Sequence, residues 1–165
     1  MVQAPGAGLI AVATPSQRLD ELGIALPAVP APAGSYVSAR RSGSLVFTAG
    51  QVPFVDGKPA ALGKVGAEIS ADEAAALAGI CALNALAAID ALVGIDAVTG
   101  VVKVVGFVAS APGFTEQPKV VNGASNLLGE IFGDAGKHAR SAVGVAELPL
   151  GVPVEVELVV ELAEP

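Results

Sequence analysis

The run from Lys137 to Glu157 constrains the fold of this chain more than any other stretch. It reads Lys-His-Ala-Arg-Ser-Ala-Val-Gly-Val-Ala-Glu-Leu-Pro-Leu-Gly-Val-Pro-Val-Glu-Val-Glu. Two alternating segments flank a Leu148-Pro149-Leu150-Gly151 corner. Side chains of a strand point to opposite faces with period 2, so the run predicts two strands. In the first, Arg140, Ala142, Gly144 and Ala146 share one face, and Ser141, Val143 and Val145 share the other. In the second, Val154, Val156 and Leu158 form an apolar face opposite Glu155 and Glu157. The expectation is a small polar pocket on a rigid sheet, with Arg140 beside small residues and both carboxylates offered by the neighbouring strand.

The rest of the chain supplies what that pair of strands packs against. Thr14-Pro15-Ser16-Gln17 has the form of a capping box with proline at the first helical position, and Gly23 marks a stop after Leu22. Pro27, Pro30, Pro32 and Gly34 make an extended linker. Tyr36 to Arg41 and Ser44 to Ala49 alternate around Ser42-Gly43 and predict a hairpin, which Pro53 then interrupts. From Phe54 to Ile69 the spacing predicts a loop with one short strand near Lys64. Ser70-Ala71-Asp72-Glu73 is a second capping box, opening a helix to Leu92 or Val93 with Gly94 as its stop. Its Leu77, Ile80, Leu83, Leu86 and Ile89 drift around the axis, so this helix should be covered on more than one side.

Val98 to Ala109 is a nearly continuous valine run and predicts a central strand. A helix from Lys119 to Ile131 follows. The predicted order is β-β-α-β-α-β-β behind an N-terminal helix: an α+β fold with one mixed sheet and two helices on one face. Residues 1–33 read as an N-terminal extension, and residues 34–165 as the α+β domain.

Composition narrows the function. Of 165 residues 53% are hydrophobic but only 4% aromatic, so the core is built from small side chains and needs close backbone approach. A net charge of −7 with scattered basic residues argues against a nucleic-acid partner. The lone Cys81 excludes an intrachain disulfide and reads as a small buried hydrophobe. No residues have metal-ligand spacing, and His138, the one histidine, lacks partners for a metal site or a triad and is given a structural or solvated role. Leu77 to Ile95 is apolar, but Asn84 and Asp90 interrupt it, so it reads as a helix of a soluble, cytoplasmic protein rather than a membrane span. No signal peptide is visible.

Two blocks carry a resemblance. Arg140-Ser141-Ala142-Val143 through Leu148-Pro149 to Val154-Glu155-Val156-Glu157 resembles the C-terminal signature of the Rid (YjgF-type) enamine/imine deaminases. Upstream, Gly34-Ser35-Tyr36 and Thr48-Ala49-Gly50-Gln51-Val52-Pro53 resemble that family's Gly-x-Tyr and Ser-Gly-Gln-x-Pro blocks. The likeness spans roughly Pro32 to Leu158. Ala49 stands where the family often has serine and Ala142 where many members have cysteine, and the loop from Ala111 to Pro118 is longer, as in a divergent branch.

The resemblance implies a chorismate-mutase-like fold, a homotrimer with sites in the clefts between subunits, and a cofactor-free hydrolysis of 2-imino or enamino acids to 2-oxo acids and ammonia. It implies that Arg140 holds the substrate carboxylate and that Glu155 positions the attacking water. Tyr36 would line the cleft, and Asn122 would reach the neighbouring subunit's site. Glu157 has no implied role beyond a structural partner. For Arg140 the competing reading is an ion pair with Glu155 or Glu157. Competing functions are a non-catalytic trimer that binds a small carboxylate, and a ribonuclease, which the acidic balance disfavours.

Overall fold

Local chemistry sets where the helices begin and end in the computed structural model, which describes residues 12–164. Helix α1 (Pro15–Glu21) starts at Thr14, whose hydroxyl accepts from the Gln17 N–H while the Gln17 side chain accepts from the Thr14 N–H. Helix α2 (Ala71–Val93) starts with the same reciprocal pair between Ser70 and Glu73 and ends at Gly94, where φ is +81°. Each box satisfies two backbone donors that a helix leaves free at its start. Helix α3 (Gln117–Phe132) has proline in its first turn and no side-chain cap.

The strands are β1 (Ala39–Ser42), β2 (Leu45–Thr48), β3 (Phe54–Val55), β4 (Lys58–Pro59), β5 (Val98–Ala109), β6 (Ala139–Val145) and β7 (Val154–Leu162). Five form one mixed sheet in the order β1-β2-β7-β5-β6, with only β5 and β6 parallel. Strands β3 and β4 make a separate small hairpin. The sequence places its single short strand near Lys64 instead. There the structure has an isolated bridge from Val65 to Ser110.

One expectation is overturned. Strands β6 and β7 are not neighbours, because β5 lies between them and pairs with both. The valine run of β5 has two edges of backbone donors and acceptors to satisfy. Residues 146–153 therefore carry the chain across the end of β5, turning where Leu150 takes φ +62°. The register then decides the faces. Arg140 lies level with Val104 and Leu158, both buried, on the face that the helices cover. Glu155 is level with Phe107 and Val143, and Glu157 with Val105 and Ser141, on the opposite, open face. The sheet face bearing all three charges does not exist within one chain.

The core lies between the sheet and the two long helices, with Val104, Val108, Val156 and Leu158 below and Leu86, Ile89, Val121 and Leu128 above. Helix α2 is buried on several sides, as its drifting pattern predicts, and Cys81 is fully enclosed. Although α2 is long and apolar enough to cross a membrane, half of its most apolar window is buried inside this domain. Small residues let the layers close: a Cβ on Gly106 of β5 would overlap Val121, and one on Gly123 would overlap the Ala75 carbonyl of α2. Helix α1 docks on this body through buried Leu19, through the Arg18 Nε–H donated to the Glu130 carbonyl, and through Ser16, which donates to both carboxylate oxygens of Asp96.

Candidate functional site

Arg140 is placed at an edge of the sheet, where β6 runs beside α3. Its Nη1 donates to Asn122 Oδ1 at 2.7 Å and to Ser125 Oγ at 3.2 Å, and its Nη2 donates to the Pro118 carbonyl at 3.2 Å. A guanidinium has five N–H donors, so these bonds leave Nε–H and one Nη2 proton free of described partners. Nε with Nη2 is an edge that grips a carboxylate bidentately. Arg140 thus neither pairs with Glu155 or Glu157 nor hangs loose in solvent; α3 holds it half-buried, with Nε–H and one Nη2 N–H uncommitted.

His138 extends this support. Its Nδ1 lies 2.6 Å from the Gly136 carbonyl and its Nε2 2.9 Å from Ser125 Oγ. A carbonyl only accepts, so Nδ1 carries the proton in the neutral ring and Nε2 accepts from the Ser125 hydroxyl. Ser125 in turn accepts from Arg140. The directed chain Arg140 to Ser125 to His138 to Gly136 gives the lone histidine a structural role, as expected, and that role is to orient the guanidinium. Neither Ser125 nor this chain is legible in the sequence, because helix α3 contributes them from more than ten positions upstream.

Glu155 sits on the open face of the central strand β7. Burial, and secondarily the charge of Glu157, raises its carboxyl above the ordinary glutamate value. Among the described residues no donor reaches that carboxylate. Its neighbour is Gly50, in the segment where Gln51 exchanges both backbone hydrogen bonds with Val156. A Cβ at position 50 would fall on Glu155 Oε1 and 2.8 Å from its Cδ. The glycine of the Ala49-Gly50-Gln51 block is therefore the seat of the carboxylate, a role its place in the motif does not reveal.

The four predicted residues are not all brought together. Asn122 is beside Arg140, and its Oδ1 accepts from the guanidinium. Tyr36 is 54% exposed and lies three residues before β1, the strand at the opposite edge of the sheet. Four strand-to-strand steps separate β1 from β6, roughly 19 Å at about 4.8 Å each. Glu155 lies between them on the face away from Arg140. One chain thus presents two half-sites, an arginine edge at β6 and α3 and a carboxylate patch at Gly50 and Glu155. Cys81, its thiol pushed well up by burial and 3.7 Å from the Val154 carbonyl, belongs to neither. Among the described residues no cluster of histidine, cysteine, aspartate and glutamate could hold a metal ion.

This architecture is shared with known proteins. Residues 16–162 match the family described as "YjgF/chorismate mutase-like, putative endoribonuclease". Protein TCP17 of Trypanosoma cruzi is 45% identical over 147 residues, covering 88% of this chain and 92% of that one. A crystal structure of a protein of unknown function from Agrobacterium tumefaciens is 41% identical with a TM-score of 0.82, covering 90% of this chain and 92% of its own. E. coli TdcF, solved with bound serine, is 26% identical with a TM-score of 0.59, covering 82% of this chain and 94% of its own.

Proposed function

The chain belongs to the YjgF/chorismate mutase-like (Rid) family, and from that premise we propose that it is a cofactor-free hydrolytic deaminase of small 2-imino and enamino acids. The observation that carries this reading is Arg140, held by three hydrogen bonds with Nε–H and one Nη2 N–H left for a ligand. The serine bound to TdcF, an amino acid with a carboxylate for such a fork, supports the same ligand class.

In the proposed reaction Arg140 clamps the substrate carboxylate and Glu155 takes a proton from water, whose oxygen adds to the imine carbon. Glu155 returns that proton to the nitrogen, giving a carbinolamine. As its C–N bond breaks, the hydroxyl gives up its own proton to the departing nitrogen, so that ammonia leaves and a 2-oxo acid remains. An imine hydrolyses unaided, so positioning and a base with a raised pKa are sufficient. Because Arg140 and Glu155 occupy opposite faces of one sheet, a site containing both takes them from different copies. The open face favours such an assembly: Phe47 and Val143 are each 44% exposed there, beside half-buried Val105, Phe107 and Val159. We assign the assembly as a homotrimer, the state the family implies.

Light scattering at micromolar concentration should give the mass of three chains. A mass of one chain would remove the shared site altogether. Gly50→Ala offers a second test. Position 50 does not need a positive φ, and the overlap is with the flexible end of Glu155. The melting temperature should therefore fall by no more than about 4 °C, the equivalent of about 1 kcal/mol. Turnover, timed as 2-oxo acid release above the spontaneous rate, should drop about as far as in Glu155→Gln.

A second reading, a trimer that binds small carboxylates without turning them over, keeps Arg140 and needs no base. It follows if the parent protein binds a 2-oxo acid but never exceeds the spontaneous rate. The net charge of −7 counts against RNA as substrate.

A further inference from the structure

Alongside α2, apart from both half-sites, lies a cleft of about 520 Å³. Its walls come from residues 25–30 of the N-terminal segment, the β3–β4 hairpin and one flank of α2. Pro27, Val29, Val55, Ile80 and Leu83 give it an apolar lining, within the size range of small-molecule pockets. The single polar side chain on its helical wall is Asn84, only 9% exposed.

The amide orientation of Asn84 is fixed by its partners. Nδ2 donates to the Val52 carbonyl at 3.0 Å and to the Phe54 carbonyl at 3.2 Å, and two acceptors demand the NH2 end there. Oδ1 then faces away from the hairpin backbone and accepts from no described donor. No buried side-chain oxygen or nitrogen among the described residues is both sealed from solvent and unpaired, so Oδ1 opens onto the cleft. An acceptor held in place at the base of an apolar cleft discriminates by hydrogen bonding, since a ligand that leaves it unpaired forfeits that bond. Asp56 also lines the cleft and makes it unfavourable for anions.

We infer that this cleft binds a small, uncharged, mostly hydrocarbon molecule bearing one hydroxyl or N–H donor, which Asn84 Oδ1 receives. The ligand class differs from the carboxylates proposed for Arg140, so the two assignments stand or fall separately.

The probe is 4-propylphenol, compared with its methyl ether, which keeps the shape and lacks the donor. In methyl NMR of the full chain, the phenol should shift Val55, Ile80 and Leu83 saturably, whereas pyruvate should leave them unmoved. The ether should bind about threefold to tenfold more weakly, the range one hydrogen bond supplies. Ala28→Trp, at an exposed position of the wall, should fill the space and abolish the shifts without changing the melting temperature. Asn84→Ala is less clean, because it also releases the hairpin. Any of four results would overturn the assignment. These are no saturation up to the solubility limit, equal binding of phenol and ether, unchanged binding in Ala28→Trp, or methyl shifts that follow protein concentration alone, which would mark a contact between copies.

Discussion

Gly123→Ala should be the most damaging single-methyl change in the molecule. A Cβ there would sit on the Ala75 carbonyl oxygen and 2.5 Å from its carbon. That obstacle is helix backbone and cannot rotate aside. Helices α2 and α3 would have to separate, loosening Val121 and Leu128 from the sheet below. Overpacking of this kind typically costs about 1–3 kcal/mol and sometimes more, and here the upper end is expected because two backbones collide. Alanine's better helix propensity returns only about 1 kcal/mol. Gly129→Ala is the matched control. It lies on the same helix with nothing within 4 Å of the added Cβ, so it gains the propensity without the collision. Thermal unfolding should show Gly123→Ala lowered by about 4–8 °C, a net loss of about 2 kcal/mol at about 2–4 °C per kcal/mol, and Gly129→Ala unchanged or raised. Equal melting temperatures would mean that the helix pair yields without cost.

That contact also explains how much of the fold could be read from the chain. Capping boxes at Thr14 and Ser70, the Gly94 stop and the valine run of β5 are local signals, each decided within a few residues, and all four stand in the structure. The small-residue core implied close approach, but which glycine meets which carbonyl depends on how α3 crosses α2. Pairing was less legible. Alternation assigns the two faces of a strand without naming its neighbour, so β6 and β7, adjacent in sequence, looked adjacent in space. What separates them is the demand of β5 for partners on both edges.

The same gap limited the site. Arg140 and Glu155 stand out as isolated charges on apolar strands, and a motif joins them. Inserting β5 puts them on opposite faces. Their supports come from elsewhere still, Asn122 and Ser125 from α3 and Gly50 from the far side of the sheet. The proline-rich segment, legible only as a linker, is intelligible as a wall because it lines one cleft with the β3–β4 hairpin and a flank of α2.

Two inactive variants should regain activity when mixed, because a site holding both residues draws them from different copies. Arg140→Lys keeps the charge but cannot form the bidentate fork or all three bonds to α3, so 2-oxo acid binding should be largely lost. Glu155→Gln keeps size and hydrogen bonding without a base, so binding should survive while turnover falls by about 10²–10⁴-fold. The parent's acid limb should lie above the ordinary glutamate range, because the group must be ionised to act and its burial favours the protonated form. Glu155→Gln should lack that limb. Co-refolding Arg140→Ala with Glu155→Gln in equal amounts builds mixed closed rings. A site is whole only where the Glu155→Gln copy supplies the arginine and the Arg140→Ala copy supplies the carboxylate. Random assembly makes that combination in about one site in four. Recovery to about a quarter of the parent's turnover, with each variant alone near the spontaneous rate, is the expected result. If the mixture stays inactive while native mass spectrometry shows that mixed oligomers form, the two residues do not share a site across copies. The carboxylate would then have to reach the substrate around the sheet edge within one chain, a path that Phe107 and Val143 on its own face obstruct.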